Sequence, residues 1–159
     1  MAGLVPAIHA LQHLSRQDVD ARHKAGHDCR EGLSMRTMQG GCHCGWVRFR
    51  VTADLEQVTV CNCSICSKKG FLHLIVPPEQ FELVSGKDDL VTYEFNTRTA
   101  KHMFCKTCGV HAFYVPRSDP DKIDVNARCI DEIDLDTLSV NFFDGENWEQ
   151  AMGQKVPWR

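Results

Sequence analysis

Seven cysteines in three close-spaced groups are the residues of this chain best suited to chemistry. Cys61-Asn62-Cys63-Ser64-Ile65-Cys66 holds three thiols, Cys42-His43-Cys44 holds two, and Cys105-Lys106-Thr107-Cys108 holds two more. Four thiolates close a tetrahedral zinc site, whereas three leave one coordination position open. Seven sulfurs therefore divide naturally into a closed structural site from the two pairs and an open, working site from the triplet. Three sulfurs on one ion can force a bound thiol to its thiolate or polarise a carbonyl. The fourth position of the triplet is left for water, a substrate thiol or a histidine. His43, His73, His102 and His111 are the candidates that would close it as Cys₃His. Zinc in such sites contributes about 10 kcal/mol or more to folding, enough to supplement a modest core.

The elements that must position these thiols are strands. Residues i and i+2 of a strand project to one side, which would bring the sulfurs of Cys42 and Cys44 to one point. The two-residue spacer of 105/108 folds its sulfurs around an ion in a turn, with Gly109 easing the exit. Val47, Phe49 and Val51 alternate with Trp46, Arg48 and Arg50, and Val91, Tyr93 and Phe95 alternate with Thr92, Glu94 and Asn96. This period of two predicts half-buried strands. Val58–Val60, Phe71–Val76, Phe81–Val84, Lys101–Phe104, Val110–Val115 and the segment of Ile123, Val125, Ala127 and Cys129 are further strand candidates, and Val140–Phe143 adds one more. Gly40-Gly41 is taken as a flexible lead-in, Ser67–Gly70 as a turn and Asp131–Leu138 as a helical turn. About eight short strands with little helical periodicity predict an all-β sandwich or barrel.

The 159 residues fit one domain with an extension. Residues 1–37 carry His9, His13, His23 and His27, many charges and few large apolar residues after Leu14. A histidine-rich metal-binding tail is one reading; a disordered N-terminal extension, which a start at Met35 or Met38 would remove, is the better supported. Residues 38–159 form the expected folded domain. Nine cysteines without a basic, uninterrupted signal-type N-terminus point to the reducing cytoplasm, where such clusters bind metals more often than they form disulfides. A net charge of -3 gives no reason to expect nucleic acid, and no apolar run is long enough for a bilayer.

Gly41-Cys42-His43-Cys44-Gly45, the 61–66 triplet and Phe104-Cys105-Lys106-Thr107-Cys108-Gly109, in this order over residues 38–150, resemble the glutathione-dependent formaldehyde-activating enzyme family, which includes centromere protein V. The resemblance implies a β-tent, a mainly-β fold of short antiparallel strands around two zinc ions. It implies that Cys42, Cys44, Cys105 and Cys108 hold the structural zinc and Cys61, Cys63 and Cys66 the catalytic one. The implied reaction joins formaldehyde to glutathione as S-hydroxymethylglutathione, a carbon–sulfur lyase activity whose partners are a small thiol and an aldehyde.

Two other classes compete. A non-catalytic zinc-binding β module would use both ions structurally and its surface for protein interaction. A redox protein of the methionine sulfoxide reductase type would need a spare reactive thiol, and Cys129 shares its strand face with apolar residues, which predicts a buried core thiol. Lys68 and Lys69 read as a solvated turn or as point charges for a substrate carboxylate. His73 is a core histidine or a neighbour of the triplet, and His102 and His111 are expected at the surface or behind the ligands. Asn126 and Arg128 are candidates for a pocket wall. Trp148 is expected to pack, and Trp46 and Trp158 carry no signal.

Overall fold

The computed structural model describes residues 34–153. The expectations for residues 1–33 and for Trp158 lie outside the described residues. Ten strands and two short helices follow in chain order: β1 Arg36–Gly41, β2 Arg48–Ala53, β3 Gln57–Cys61, α1 Cys66–Lys69, β4 His73–Val76, β5 Phe81–Ser85, β6 Leu90–Tyr93, β7 Lys101–Cys105, β8 Phe113–Val115, β9 Ile123–Asn126, β10 Ser139–Phe143 and α2 Trp148–Gly153. The fold is mainly β, as expected. No helix among the described residues is long and apolar enough to cross a membrane.

Two sheets form. The smaller runs β1-β2-β5, and the larger runs β10-β3-β4-β9-β8-β7-β6. Every pairing is antiparallel except β10 with β3, which is parallel, so the larger sheet is mixed. The strand at the start is longer than its sequence suggests. Arg36 and Thr37 already pair with Ala53 and Thr52, so β1 begins inside the stretch assigned to the extension. Gly40 and Gly41 are not a flexible lead-in; they pair with Phe49 and Arg48 within β1.

The pleat sorts the larger sheet into two chemically distinct faces. Partners opposite one another in register share a face, and the registers run Val58 and Val60 (β3), Leu74 and Val76 (β4), Ile123 and Val125 (β9), Phe113 (β8), Met103 and Cys105 (β7) on one side. These residues belong to a single apolar core. The smaller sheet supplies its other half through Met38, Phe49, Val51, Ala53 and Phe81. Three rings lock the layers: Phe113 lies edge-on to Phe49 at 6.0 Å and tilted against Phe81 at 4.8 Å. Such aromatic pairs add about 0.5–1.5 kcal/mol beyond the area they bury.

The opposite face of the same sheet carries Thr59 and Cys61, His73, Asp124, Tyr114 and His102 in the corresponding register. It is polar, and it is where the triplet stands.

Three local expectations are revised. Strand β9 ends at Asn126, and Ala127–Cys129 continue as a 3₁₀ turn. The helical turn expected over 131–138 is a 3₁₀ turn at Leu135–Thr137, started by the Asp134 side chain accepting from the Asp136 N–H. Ser67–Gly70 is not an open turn but the body and cap of α1. Phe113 is almost fully buried between the layers, so Phe113→Ala should cost about 3–5 kcal/mol of stability, measurable by urea denaturation of the metal-loaded protein.

Candidate metal centres and active site

Cys42 and Cys44 sit in the turn between β1 and β2 of the smaller sheet, whereas Cys105 ends β7 of the larger sheet and Cys108 lies in the turn that leads to β8. The two turns are built alike. The Cys42 N–H donates to the Val47 carbonyl at 2.9 Å, and the Cys105 N–H to the Val110 carbonyl at 3.0 Å. A glycine in the left-handed region follows each second cysteine, Gly45 at φ 82° and Gly109 at φ 73°, a conformation that other residues adopt at a cost. The sulfurs of 42 and 44 therefore converge through a turn, not through strand pleating.

All four sulfurs lie within 4.8 Å of one another. Cys42 Sγ is 3.5 Å from Cys44 Sγ, which is 3.6 Å from Cys105 Sγ. Four sulfurs roughly 2.3 Å from one zinc ion stand about 3.8 Å apart, so the donor set and its spacing fit a tetrahedral ion. The Val47 N–H donates to Cys42 Sγ at 3.3 Å, as backbone amides do around zinc-bound thiolates.

Cys61, Cys63 and Cys66 form the second cluster, again with sulfurs within 4.8 Å of one another. No histidine nitrogen or carboxylate oxygen joins either cluster among the described residues. The Cys₃His closure by His43, His73, His102 or His111 is thus not formed. Hydrogen bonding to Cys61 and then to Cys66 holds the Cys63 thiol well below its ordinary range, while hydrogen bonding to Cys61 and Cys63 and then burial push Cys66 far up. Three thiols that cannot ionise together suit a site that a divalent cation completes.

A latch from the far end of the chain covers the triplet. Asn62 Nδ2 donates to Asp144 Oδ1 at 2.8 Å, Asn62 Oδ1 accepts from the Glu146 N–H at 3.0 Å, and Asn147 Nδ2 donates to Asp144 Oδ2 at 2.8 Å. These amides, Asn147 first, hold the Asp144 carboxyl below its ordinary range. Gly145 is pressed so close that a Cβ there would overlap Cys61 Sγ and the Cys63 side chain. Asn62, Asp144 and Gly145 are residues of this site that the sequence reading missed. The only local signs were an amide between two cysteines and an Asp-Gly turn pair.

The triplet opens on a cavity of about 550 Å³, also lined by Thr59, His73, His102, Tyr114 and Asp124. His73 Nδ1 and Asp124 Oδ2 are 2.7 Å apart, and both side chains are buried. A carboxylate only accepts hydrogen bonds, so the pair fixes the proton on Nδ1 and leaves Nε2 as the basic nitrogen. Burial, then the charge of Asp124, push the Tyr114 phenol well above its ordinary range, so it stays a donor. Its ring stacks on His102 at 4.9 Å. Burial, then the charge of Lys69, lower His102 to about 4 and His111 to about 3, so both are neutral at pH 7.

Among the described residues, the buried side-chain nitrogen and oxygen atoms without a hydrogen-bond partner are His73 Nε2, His102 Nδ1, His111 Nε2 and Asp124 Oδ1. Native interiors rarely leave such groups unpaired, and here they gather around one site.

His102 and His111 are buried, so of the two places expected for them the surface is excluded. Asn126 and Arg128 do not line the cavity. Asn126 Nδ2 donates to the His111 carbonyl at 3.2 Å, its Oδ1 accepts from the Leu72 N–H at 3.3 Å, and Arg128 Nε donates to the Gly70 carbonyl at 3.0 Å. They brace β4, β8 and β9. Cys129 is half-buried, and burial raises its thiol to about 11, which removes the thiolate a redox protein would use. Trp148 packs under the Arg117 guanidinium, 3.6 Å from the ring centroid, and both line the cavity mouth. Trp46 is exposed.

A mainly-β protein with one four-cysteine cluster between two sheets and one three-cysteine cluster on a polar cavity is the class that fold and site define. Residues 37–144 match the family described as glutathione-dependent formaldehyde-activating enzyme. The chain belongs to that family. It is also similar to the crystal structure of a Rhodobacter sphaeroides protein, with 31% sequence identity and a TM-score of 0.60 over 65% of this chain and 100% of that one.

Two separable outcomes are expected from substitution here. Cys105→Ser should unfold the domain, seen as loss of a cooperative melting transition. Gly145→Ala should leave it folded with about one zinc per chain instead of about two, by elemental analysis, because only the triplet is distorted.

Proposed function

We propose that the protein is a zinc-dependent carbon–sulfur lyase that adds a glutathione-like thiol to a formaldehyde-like aldehyde. The observation that carries this reading is the triplet itself: three sulfurs at the wall of a cavity, with no fourth protein ligand among the described residues. Family membership supports the substrate pair.

The reaction is an addition without redox change. A C–S bond forms, the C=O π pair moves to oxygen, and the thiol proton ends on that oxygen. Zinc held by Cys61, Cys63 and Cys66 would supply Lewis-acid activation of the thiol or the carbonyl. Cys42, Cys44, Cys105 and Cys108 would hold the second, structural zinc.

The chain's own groups can handle the proton. His73, oriented by Asp124, takes it on Nε2 and returns it to the developing alkoxide, and the Tyr114 hydroxyl donates a hydrogen bond to that oxygen. Lys68, which lines the cavity, provides a cation for a carboxylate of a peptide thiol, while Arg117 beside it is already paired with Glu149 at 2.9 Å. The active domain is the one assigned to residues 38–159, preceded by the Arg36–Thr37 start of β1, and it works in the cytoplasm without nucleic acid or membrane. A non-catalytic module for protein interaction would have no use for a buried His–Asp pair beside an open ligand set, which favours the enzyme.

Proton exchange spectroscopy of glutathione and formaldehyde tests this directly. Added protein should speed the exchange; an unchanged rate removes the substrate pair. His73→Gln should lower turnover about 100-fold or more with KM and zinc content unchanged, and undiminished turnover would remove His73 from the mechanism.

A further inference from the structure

A second concavity of about 580 Å³ lies beside the 61–66 segment. Its walls are Ile65, Tyr93, Phe95 and Phe104, with Lys68 and Lys69 at hand. Tyr93 and Phe104 stand on the polar face of the larger sheet, at its β6–β7 edge, in the same register row set that places His102. Tyr93 is 52% exposed, an unusual loss for a ring that stacks on Phe95 at 5.7 Å and 20°. Phe95 in turn stacks on His102 at 5.5 Å. Tyr93 and Phe95 present a packed aromatic wall to this concavity, with Phe104 beside them.

The charges at this concavity lack counterparts. Elsewhere Lys101, Lys106 and Lys122 pair with Glu94, Asp89 and Asp119, and among the described residues Lys87 stands exposed and alone. Lys68 and Lys69 have no carboxylate partner among the described residues, and no acidic side chain lines the groove. The contrast is local, because the chain as a whole is acidic. Lys69 is directed by its hydrogen bond to His111 Nδ1 at 3.0 Å, which leaves two of its three N–H groups free. Burial lowers its ammonium, the condition that an incoming anion relieves. Flat rings bind flat rings, and paired lysines bind a carboxylate.

We propose that this groove is a binding site for an aromatic carboxylate, its ring held by Tyr93, Phe95 and Phe104 and its carboxylate by Lys69 and Lys68. The groove shares Ser64, Ile65, Lys68 and Phe95 with the reaction cavity, so its occupant abuts the triplet. Formaldehyde, with one carbon, would fill neither space. Only this adjacency rests on the proposed function; the binding needs no catalysis.

The test is a titration of the zinc-loaded full chain with 1-naphthoate and with uncharged 1-naphthylmethanol, observed by ligand NMR. Naphthoate should bind saturably and about tenfold more tightly than the alcohol. Lys69→Gln should erase that difference while leaving the alcohol unaffected. Tyr93→Ala, at an exposed edge, should weaken both, and Lys87→Gln, an exposed lysine elsewhere, neither. Equal affinity for acid and alcohol, absence of saturable naphthoate binding, or naphthoate affinity unchanged in Lys69→Gln overturns the proposal. Thiol–aldehyde exchange measured on the same samples separates the two ideas. Naphthoate binding without exchange leaves the groove and removes the lyase; exchange without naphthoate binding does the reverse.

Discussion

Four sulfurs drawn from two different sheets are the constraint on which the remaining structure depends. Cys42 and Cys44 belong to a turn of the smaller sheet, Cys105 and Cys108 to the end of β7 in the larger and the turn that follows it. Bringing them within 4.8 Å pins the layers at one end. That pin sets the distance at which Phe49, Phe81 and Phe113 interlock. It also decides which face of the larger sheet is inward. Because strand side chains alternate, committing Val125, Phe113 and Leu74 to the core commits Asp124, Tyr114 and His73 to the other side. The polar cavity is thus the reverse of the core.

The two faces carry opposite costs. The inner one is stabilised by burying apolar area and by ring contacts. The outer one holds imidazoles, a carboxylate and a phenol away from water, with four of their polar atoms unpaired. Each such atom costs on the order of 1–3 kcal/mol. A fold that a metal held by Cys42, Cys44, Cys105 and Cys108 would stabilise can tolerate this at the place where substrate and proton transfer would make use of it. Rigidity at one end and unsatisfied polarity at the other are consequences of one strand register.

Much of this was legible in the residues. Cysteine spacing separated the group of four from the group of three, because sulfur count is a local property of short segments. Alternation located β2, where Phe49, Val51 and Ala53 are buried and the residues between them are not; it located β6 as a strand but not as a half-buried one, since Val91 and Tyr93 are exposed. It failed for β1, where Arg36, Gln39 and the two glycines mask the period that Met38 and Gly40 keep on the core side. The parallel partnership of β10 was invisible, since nothing local in Val140–Phe143 specifies β3. For His102 and His111, which flank a turn, the residues left the surface and the space behind the ligands equally open; both are buried, and the register of β7 puts His102 on the site face. The Asn62–Asp144 latch, with partners 82 residues apart, is a fact of tertiary structure alone.

That separation has a consequence for how the protein is made. Asn62 and its flanking thiols leave the ribosome 82 residues before Asp144. At about 5–20 residues per second the delay is roughly 4–16 s. During it the three thiols of the open cluster stand bare, without Gly145 against them and without β10 beside β3. A metal ion would therefore meet an open path to the nascent loop, before the last strand closes over the three thiols. A chain released before residue 144 would keep the thiols but lose their cover, exposing them to oxidation and to capture by the wrong ion. Fidelity of the metal centre becomes partly a matter of translational timing.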